Sequence, residues 1–212
     1  VGGNFKSSFD TLITMKQIIL TTLLIIASNA YGQTNYLDKG NQQLNDNDFV
    51  AAEQTFRDAI KSDSSNLIYQ NQLALSLMKQ KKHSEAQKIL DKVLLLDSTN
   101  IGALWYAGTN NYLDKTSDLR VAVNYFEKVL PLLNESQGQY YSANWFIGRS
   151  YQVLLQSDGL TYDEVSRMLE CYSTYIRLQP NANDAGKISA FVQHIKDIRP
   201  PDNVKKWINK PQ

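Results

Sequence analysis

The chain has 212 residues, 22 Lys plus Arg against 21 Asp plus Glu, 42% hydrophobic residues, five Pro and a single Cys. One folded domain or two small ones fit these figures; collagen-like, disordered, disulfide-framework and multi-span membrane chains do not. A formal net charge of +1 provides no cluster of cations to displace counterions from nucleic acid or anionic lipid, so neither is an expected partner.

The chain opens with an address. Residues 17–27 are an Ile- and Leu-rich run broken by Thr21 and Thr22, preceded by Lys16 and followed by Ser28, Asn29, Ala30, Tyr31 and Gly32. A positive end, a short apolar stretch and small residues at the −3 and −1 positions are the order of a secretory leader. Ala30 and Gly32 take those positions for cleavage before Gln33, which is preferred; Ser28 and Ala30 take them for cleavage before Tyr31. A membrane anchor needs about 20 apolar residues, whereas 18–27 supplies ten. Residues 1–32 are therefore read as a leader region with Met15 as its start. The protein is expected to be exported, periplasmic or secreted, with no membrane insertion once the leader is removed. Losing Lys6, Lys16 and Asp10 with the leader leaves the remainder formally neutral. Cys171 has no partner in its own chain, so stability must come from packing.

Beyond the leader the sequence repeats. Gly40, Ala74 and Gly108 are spaced by 34, as are Ala52 and Ala86, and Asp63, Ser64, Ser65, Asn66 recur 34 residues later as Asp97, Ser98, Thr99, Asn100. Within each period apolar residues return at three and four, in two blocks separated by a polar break at 45–48 or 80–82, which predicts helix, tight turn, helix. Gly40 and Ala52, like Ala74 and Ala86, stand twelve apart, placing a small residue on each helix where two backbones approach; a larger one would overpack, at about 1–3 kcal/mol. Thr161 and Glu164 form a capping box that starts the last long helix. After Pro180, the residues Ile188, Phe191, Val192 and Ile195 mark one more amphipathic helix, and Val204, Trp207 and Ile208 suggest a short helical turn folding back after Pro200 and Pro201.

This pattern resembles the tetratricopeptide repeat, a 34-residue helix–turn–helix unit with small residues at its eighth and twentieth positions, a bulky one at its twenty-fourth and a small one at its twenty-seventh. Gly40, Ala52, Phe56 and Ala59 fill those roles in a unit at 33–66, and Ala74, Ala86, Leu90 and Val93 in one at 67–100. Gly108, Ala122, Phe126 and Val129 fill them in a third at 101–138, with two extra residues around 115–119. A fourth unit, 139–181, is degenerate: Gly148 and Tyr151 lie on its first helix, Met168, Tyr172 and Tyr175 on its second, with about eight residues inserted around 156–160. The resemblance implies an all-α, right-handed α-solenoid of about four stacked pairs, closed by a capping helix and tail at 182–212. With its leader, it is similar to bacterial exported members of that family.

The usual signs of catalysis are missing. The two histidines, His83 and His194, are far apart in sequence, no Cys or His stands at metal-ligand spacing, and no phosphate loop or nucleophile elbow occurs. Asp163 and Glu164 fall in a helix first turn, where the backbone dipole favours carboxylates. Cys171 reads as a buried, inert thiol, and neither a cofactor, a metal nor an enzyme activity is expected.

The resemblance instead implies a concave groove lined by the first helix of each pair. Its inward positions are Leu37, Asn41 and Asn45, then Asn71, Gln72, Leu75 and Lys79. They continue with Trp105, Tyr106, Thr109 and Tyr112, then Trp145, Phe146 and Arg149. Chaperone-binding family members grip a C-terminal carboxylate with Lys, Asn, Asn, Lys and Arg; the matching positions here are Leu37, Asn41, Gln72, Gly102 and Tyr106, of which only Asn41 agrees, so that function is rejected. Aromatic residues and Arg dominate interface energies, which makes Trp105, Tyr106, Trp145 and Arg149 the expected hot spots, while Tyr125, Tyr151, Tyr172 and Tyr175 are expected in the core. The expected partner is a protein or extended peptide; a glycan or small molecule stacked on the aromatic stretch is the alternative.

Overall fold

The computed structural model describes residues 36–209; the leader, and with it the expected cleavage site, lies outside them. Among the described residues the regular structure is helical, apart from one isolated β-bridge between Leu160 and Trp207. The described part of the first helix, α1, covers 36–45. It is followed by α2 (Phe49–Ser62), α3 (Leu67–Lys79), α4 (His83–Leu96), α5 (Ile101–Leu113), α6 (Leu119–Val129), a short 3-10 turn (Leu130–Leu132), α7 (Gly138–Ser157), α8 (Tyr162–Leu178) and α9 (Ala185–Ile198). Contacts divide the chain into two compact units that meet between Ser76 and Leu77, inside α3.

The sequence repeat is also a repeat of turn geometry. At the first polar break Asn47 adopts φ 61°, and at the second Lys81 adopts φ 62°; these left-handed residues stand 34 apart. The Asp48 N–H donates to the Gln43 carbonyl at 2.8 Å and the Lys82 N–H to the Leu77 carbonyl at 2.9 Å, so both helices end by the same bond. The Asp-Ser-Ser-Asn and Asp-Ser-Thr-Asn stretches are equally alike. Asp63 Oδ1 accepts from the Ser65 N–H and hydroxyl, and Asp97 Oδ1 from the Thr99 N–H and hydroxyl. Asn100 Oδ1 then accepts from the Ala103 N–H at 3.0 Å, the side-chain cap that starts a helix.

In the first unit Gly40 on α1 faces the Phe56 ring on α2, so closely that a Cβ at residue 40 would overlap it. Ala52, Phe56 and Ala59 are fully buried. Thr55 and Gln43 join the two helices by a 2.7 Å hydrogen bond, and Tyr69 meets the Tyr36 ring edge-on at 6.4 Å.

The second unit stacks in chain order, each helix from α4 to α9 packing on the next. Alternate helices also touch. Side chains of α5 meet those of α7 through aromatic rings, Gln87 of α4 bonds Tyr125 of α6, and Arg167 of α8 pairs with Glu127 of α6 at 2.7 Å. First helices thus line one side of this unit and second helices the other, as stacked hairpins require. A Cβ at Gly108 would stand 2.9 Å from Phe126, and one at Gly148 2.6 Å from Tyr172.

The irregular fourth pair accommodates its extra residues in a particular way. Helix α7 has 20 residues where α3 and α5 have 13, so most of the insertion lengthens the helix. The rest forms a tight return in which Gly159 takes φ 88°, a left-handed conformation that favours glycine. Thr161 and Glu164 make both bonds of the capping box that opens α8. The segment after α9 does fold back, but not as the expected helical turn. It runs extended: the Leu160 and Trp207 backbones exchange two 2.8 Å hydrogen bonds, and the Asn209 N–H donates to the Leu155 carbonyl. Lys206 pairs with Asp158, and the Arg199 guanidinium lies 3.6 Å from the centroid of the Tyr162 ring. The paired backbone groups at Leu160 make extended chain the better solution than an isolated helical turn, which closes few internal bonds.

Candidate functional site

Of the groove positions expected from sequence, the structure brings the rings of Trp105, Tyr112, Trp145 and Phe146 together in the second unit. Helix α5 presents Trp105, Thr109 and Tyr112 at intervals of four and three, hence on one face, and α7 presents Trp145, Phe146 and Arg149. Phe146 is the centre of the group. It stacks on the buried Phe126 ring at 4.9 Å with an interplanar angle of 4°, and takes the edges of Trp105 at 6.0 Å, Tyr112 at 4.9 Å and Trp145 at 5.2 Å. Trp105 also meets Phe126 edge-on at 5.6 Å. Trp105, Tyr112, Trp145 and Phe146 are each half-buried and packed against the core. They are therefore both wall and surface: one side anchors, the other remains open to solvent.

Polar bonds fix this arrangement. The Trp145 Nε1–H donates to Asp184 Oδ2 at 2.9 Å and the Tyr175 hydroxyl to Asp184 Oδ1 at 2.8 Å, so the residue preceding α9 holds a ring of α7. Burial alone would raise the Asp184 carboxyl, but these two donors outweigh it and hold the group below the usual carboxylate range. The Thr109 hydroxyl turns back to the Trp105 carbonyl at 2.9 Å. Tyr106 is half-buried, and burial raises its phenol. Arg149 is exposed and donates to Gln152 Oε1 at 3.0 Å, the oxygen that also accepts from the Tyr172 hydroxyl.

The amide-rich positions fall elsewhere. Asn41 (half-buried), Asn45 (exposed), Asn71 (buried) and Gln72 (half-buried) belong to the first unit, while Lys79, exposed, closes α3. The buried state of Asn71 makes its side chain part of the helix packing rather than an open surface.

Among the tyrosines expected in the core, Tyr151, Tyr172 and Tyr175 are buried. Tyr125 departs from expectation: it is half-buried and joins a polar cluster at the rim, accepting from Gln87 Nε2 and donating to Asp91 Oδ1 at 3.3 Å. That cluster continues inward to Asn110, 2% exposed, whose Oδ1 lies 2.8 Å from His83 Nδ1 and whose Nδ2 donates to the His83 carbonyl and Gln87 Oε1. His83, the first residue of α4, is thus tied to α5. No spacing in the sequence announced this network or the Asp184 bracket: Asn110 lies 23 and 27 residues from Gln87 and His83, and Trp145 lies 39 from Asp184, with Tyr175 alone nearer, at nine. Cys171 is fully buried, and burial pushes its thiol up to about 12, which leaves almost no thiolate at neutral pH. Glu164 does more than cap: it also accepts from Arg120 Nε at 2.7 Å.

Among the described residues no three His, Cys, Asp or Glu gather as a metal site, and no helix is long and apolar enough to cross a membrane.

No protein-family model matches the chain, and no curated protein matches it in sequence. Solved structures do match in shape. A MamA protein shares 21% identity at a TM-score of 0.61, covering 79% of this chain and 84% of that one. A MamA spanning residue 41 to its end, from Desulfovibrio magneticus, shares 14% at 0.59, covering 80% and 98%. A tetratricopeptide repeat protein from Parabacteroides merdae shares 16% at 0.56, covering 78% of this chain and 60% of that one. At such identities the likeness is one of fold, and it agrees with the 34-residue period, the repeated turns and the glycine-to-ring contacts: this chain has the tetratricopeptide-repeat fold.

Proposed function

We propose that this chain is a non-catalytic scaffold, exported from the cell that makes it, that binds a protein or extended peptide partner. The observation that carries the reading is the ring group of α5 and α7. Four aromatic side chains keep part of their surface open while edge contacts and the Trp145–Asp184 bond hold them in place. Rings of this kind dominate interface energies, and a platform already ordered loses little further entropy on binding. The fold supports the reading, because stacked hairpins present the faces of their first helices side by side. Export rests on Lys16, the apolar run at 18–27 and the small residues before Gln33.

The structure refines how this is tested. Trp105 packs on Phe126 and Phe146, so Trp105→Ala removes core contacts together with surface. Arg149 is exposed, which makes Arg149→Ala the cleaner probe. Crosslinking and mass spectrometry in cells of the source organism should recover one recurrent protein joined near α5 and α7. Once that partner is purified, Arg149→Ala should weaken its binding by about 1 kcal/mol, about fivefold, with helicity unchanged. Crosslinks confined to other surfaces would remove the aromatic face from the reading. Tryptophan quenching that saturates with an oligosaccharide and with no protein or peptide would transfer the site to glycans. The amino terminus of the protein recovered outside the cytoplasm should be Gln33; retention of residues 1–32 in the cytoplasm would refute export.

A further inference from the structure

The two places where the second unit departs from the 34-residue spacing border one cleft. Residues 114–118 connect α5 to α6, residues 153–157 end α7, and between them the surface opens to a volume of about 440 Å³, within the range of ligand sites. The floor is apolar: Leu154 is buried, and Tyr112, Leu119 and Val153 are half-buried. The polar residues of the lining form its rim: Lys115, Asp118 and Ser157 are exposed, and Asp114 and Ser117 half-buried.

The rim has a definite electrostatic character. Asp114 Oδ1 accepts from the Thr116 N–H at 2.9 Å and hydroxyl at 2.7 Å, and Asp118 Oδ1 from the Arg120 N–H at 2.9 Å. The Thr116 donors hold the Asp114 carboxyl below its usual range, so it is ionised at neutral pH. Among the described residues neither carboxylate forms a salt bridge with a lysine or arginine: Arg120, the nearest guanidinium in sequence, is directed to Asp158 and Glu164, Lys115 is exposed and pairs with neither, and His83 adds only a longer-range attraction to Asp114. The loop is also tied down. The Ser117 hydroxyl donates to Asn111 Oδ1 at 2.7 Å, and Asn111 is bonded in turn to Gln87.

We propose that this cleft takes a lysine or arginine side chain of a bound peptide, its aliphatic stem on Tyr112, Leu119 and Val153 and its cationic head between Asp114 and Asp118. Long basic side chains are apolar along the stem and charged at the tip, which matches an apolar floor under a carboxylate rim. The Tyr112 ring adds an attractive face for a cation. The site continues the surface assigned above, because Tyr112 also packs on Trp145 and Phe146; it rests on that peptide-binding reading and gives it a charge requirement.

The test uses the full chain labelled with nitrogen-15 and three blocked tripeptides, acetyl-Leu-X-Leu-amide, in which X is arginine, norleucine or glutamate. The arginine peptide should shift the amide resonances of 112–119 and 153–157 and bind about three- to fivefold tighter than the norleucine peptide, the size of an exposed ion pair, with the glutamate peptide weakest. The Asp114→Asn, Asp118→Asn double variant should erase the arginine preference while norleucine binding persists. Asparagine also caps helices, so α6 keeps its start, and circular dichroism checks the fold. Equal affinity for arginine and norleucine, or a preference that survives in the double variant, overturns the cation site while leaving the aromatic face as a peptide surface. Shifts from every peptide confined to Trp105, Trp145 and their neighbours would have the same meaning. Absence of shifts with all three overturns the cleft as a peptide site, and the recurrent crosslinked partner then decides the scaffold reading by itself.

Discussion

A glycine on the first helix of a pair is required here by a ring, and the chain length between the two measures the insertions. Gly40 faces Phe56, sixteen residues on; Gly108 faces Phe126, eighteen on; Gly148 faces Tyr172, twenty-four on. The intervals grow by the two and then the eight extra residues, yet the contact survives, because intervening chain is absorbed in turns and helix length while the packing of two backbones against a ring cannot stretch. Gly148→Ala is therefore expected to destabilise the protein by about 1–3 kcal/mol, since its Cβ would stand 2.6 Å from the Tyr172 ring. Gly186, in α9 with nothing within 4 Å of such a Cβ, is the control: Gly186→Ala should be neutral or stabilising by up to about 1 kcal/mol. Urea unfolding of the two variants separates a packing requirement from helix propensity, and equal effects would discard the ring argument.

At the scale of an element, α8 shows how a local signal acquires a tertiary role. The capping box of Thr161 and Glu164 satisfies the start of that helix from its own sequence. Glu164 also receives Arg120 from α6, and Arg120 reaches Asp158 at 2.7 Å and the Gly159 carbonyl at 2.9 Å, so one guanidinium closes the return between α7 and α8. Burial would raise the Glu164 carboxyl, but the Arg120 and Thr161 donors reverse that and leave it lowered. A carboxyl whose folded value is depressed contributes stability above the unfolded value of about 4.3 and loses it as pH falls through the folded one. The melting temperature of the native protein should therefore drop as pH falls from neutral through about 4.3 and below. Glu164→Gln should melt lower at neutral pH, with the gap narrowing across that window; a gap independent of pH would mean that the charge contributes nothing.

The whole molecule consists of two compact units. Buried apolar residues of the first include Phe56, Tyr69 and Leu73, while the second holds one continuous cluster running from Leu104 to Ile195. All three tryptophans, Trp105, Trp145 and Trp207, belong to the second unit. Tryptophan fluorescence consequently follows that unit, whereas far-ultraviolet circular dichroism follows every helix. The two units are expected to unfold in separate steps, so the dichroism and fluorescence transitions in urea should not coincide. Coincident curves would show that the two unfold as one.

The sequence by itself determined the helices, the period and the places where the period is broken. Each of those depends on contacts within one hairpin: small residues opposite rings, Asp-x-Ser/Thr turns, left-handed Asn47 and Lys81, and the Thr161 cap. The family pattern also placed Trp105, Tyr112, Trp145 and Phe146 on first helices, but it could not tell surface from core. Only the tertiary structure decided that these rings are half of each, that Asp184 holds Trp145, and that His83, Gln87 and Asn110 share a buried network. It also decided that the tail pairs as extended chain with Leu160. Periodicity records which residues share a face of one helix, whereas a hydrogen bond between residues 39 apart depends on how neighbouring hairpins stack, and that distance leaves no trace in local spacing.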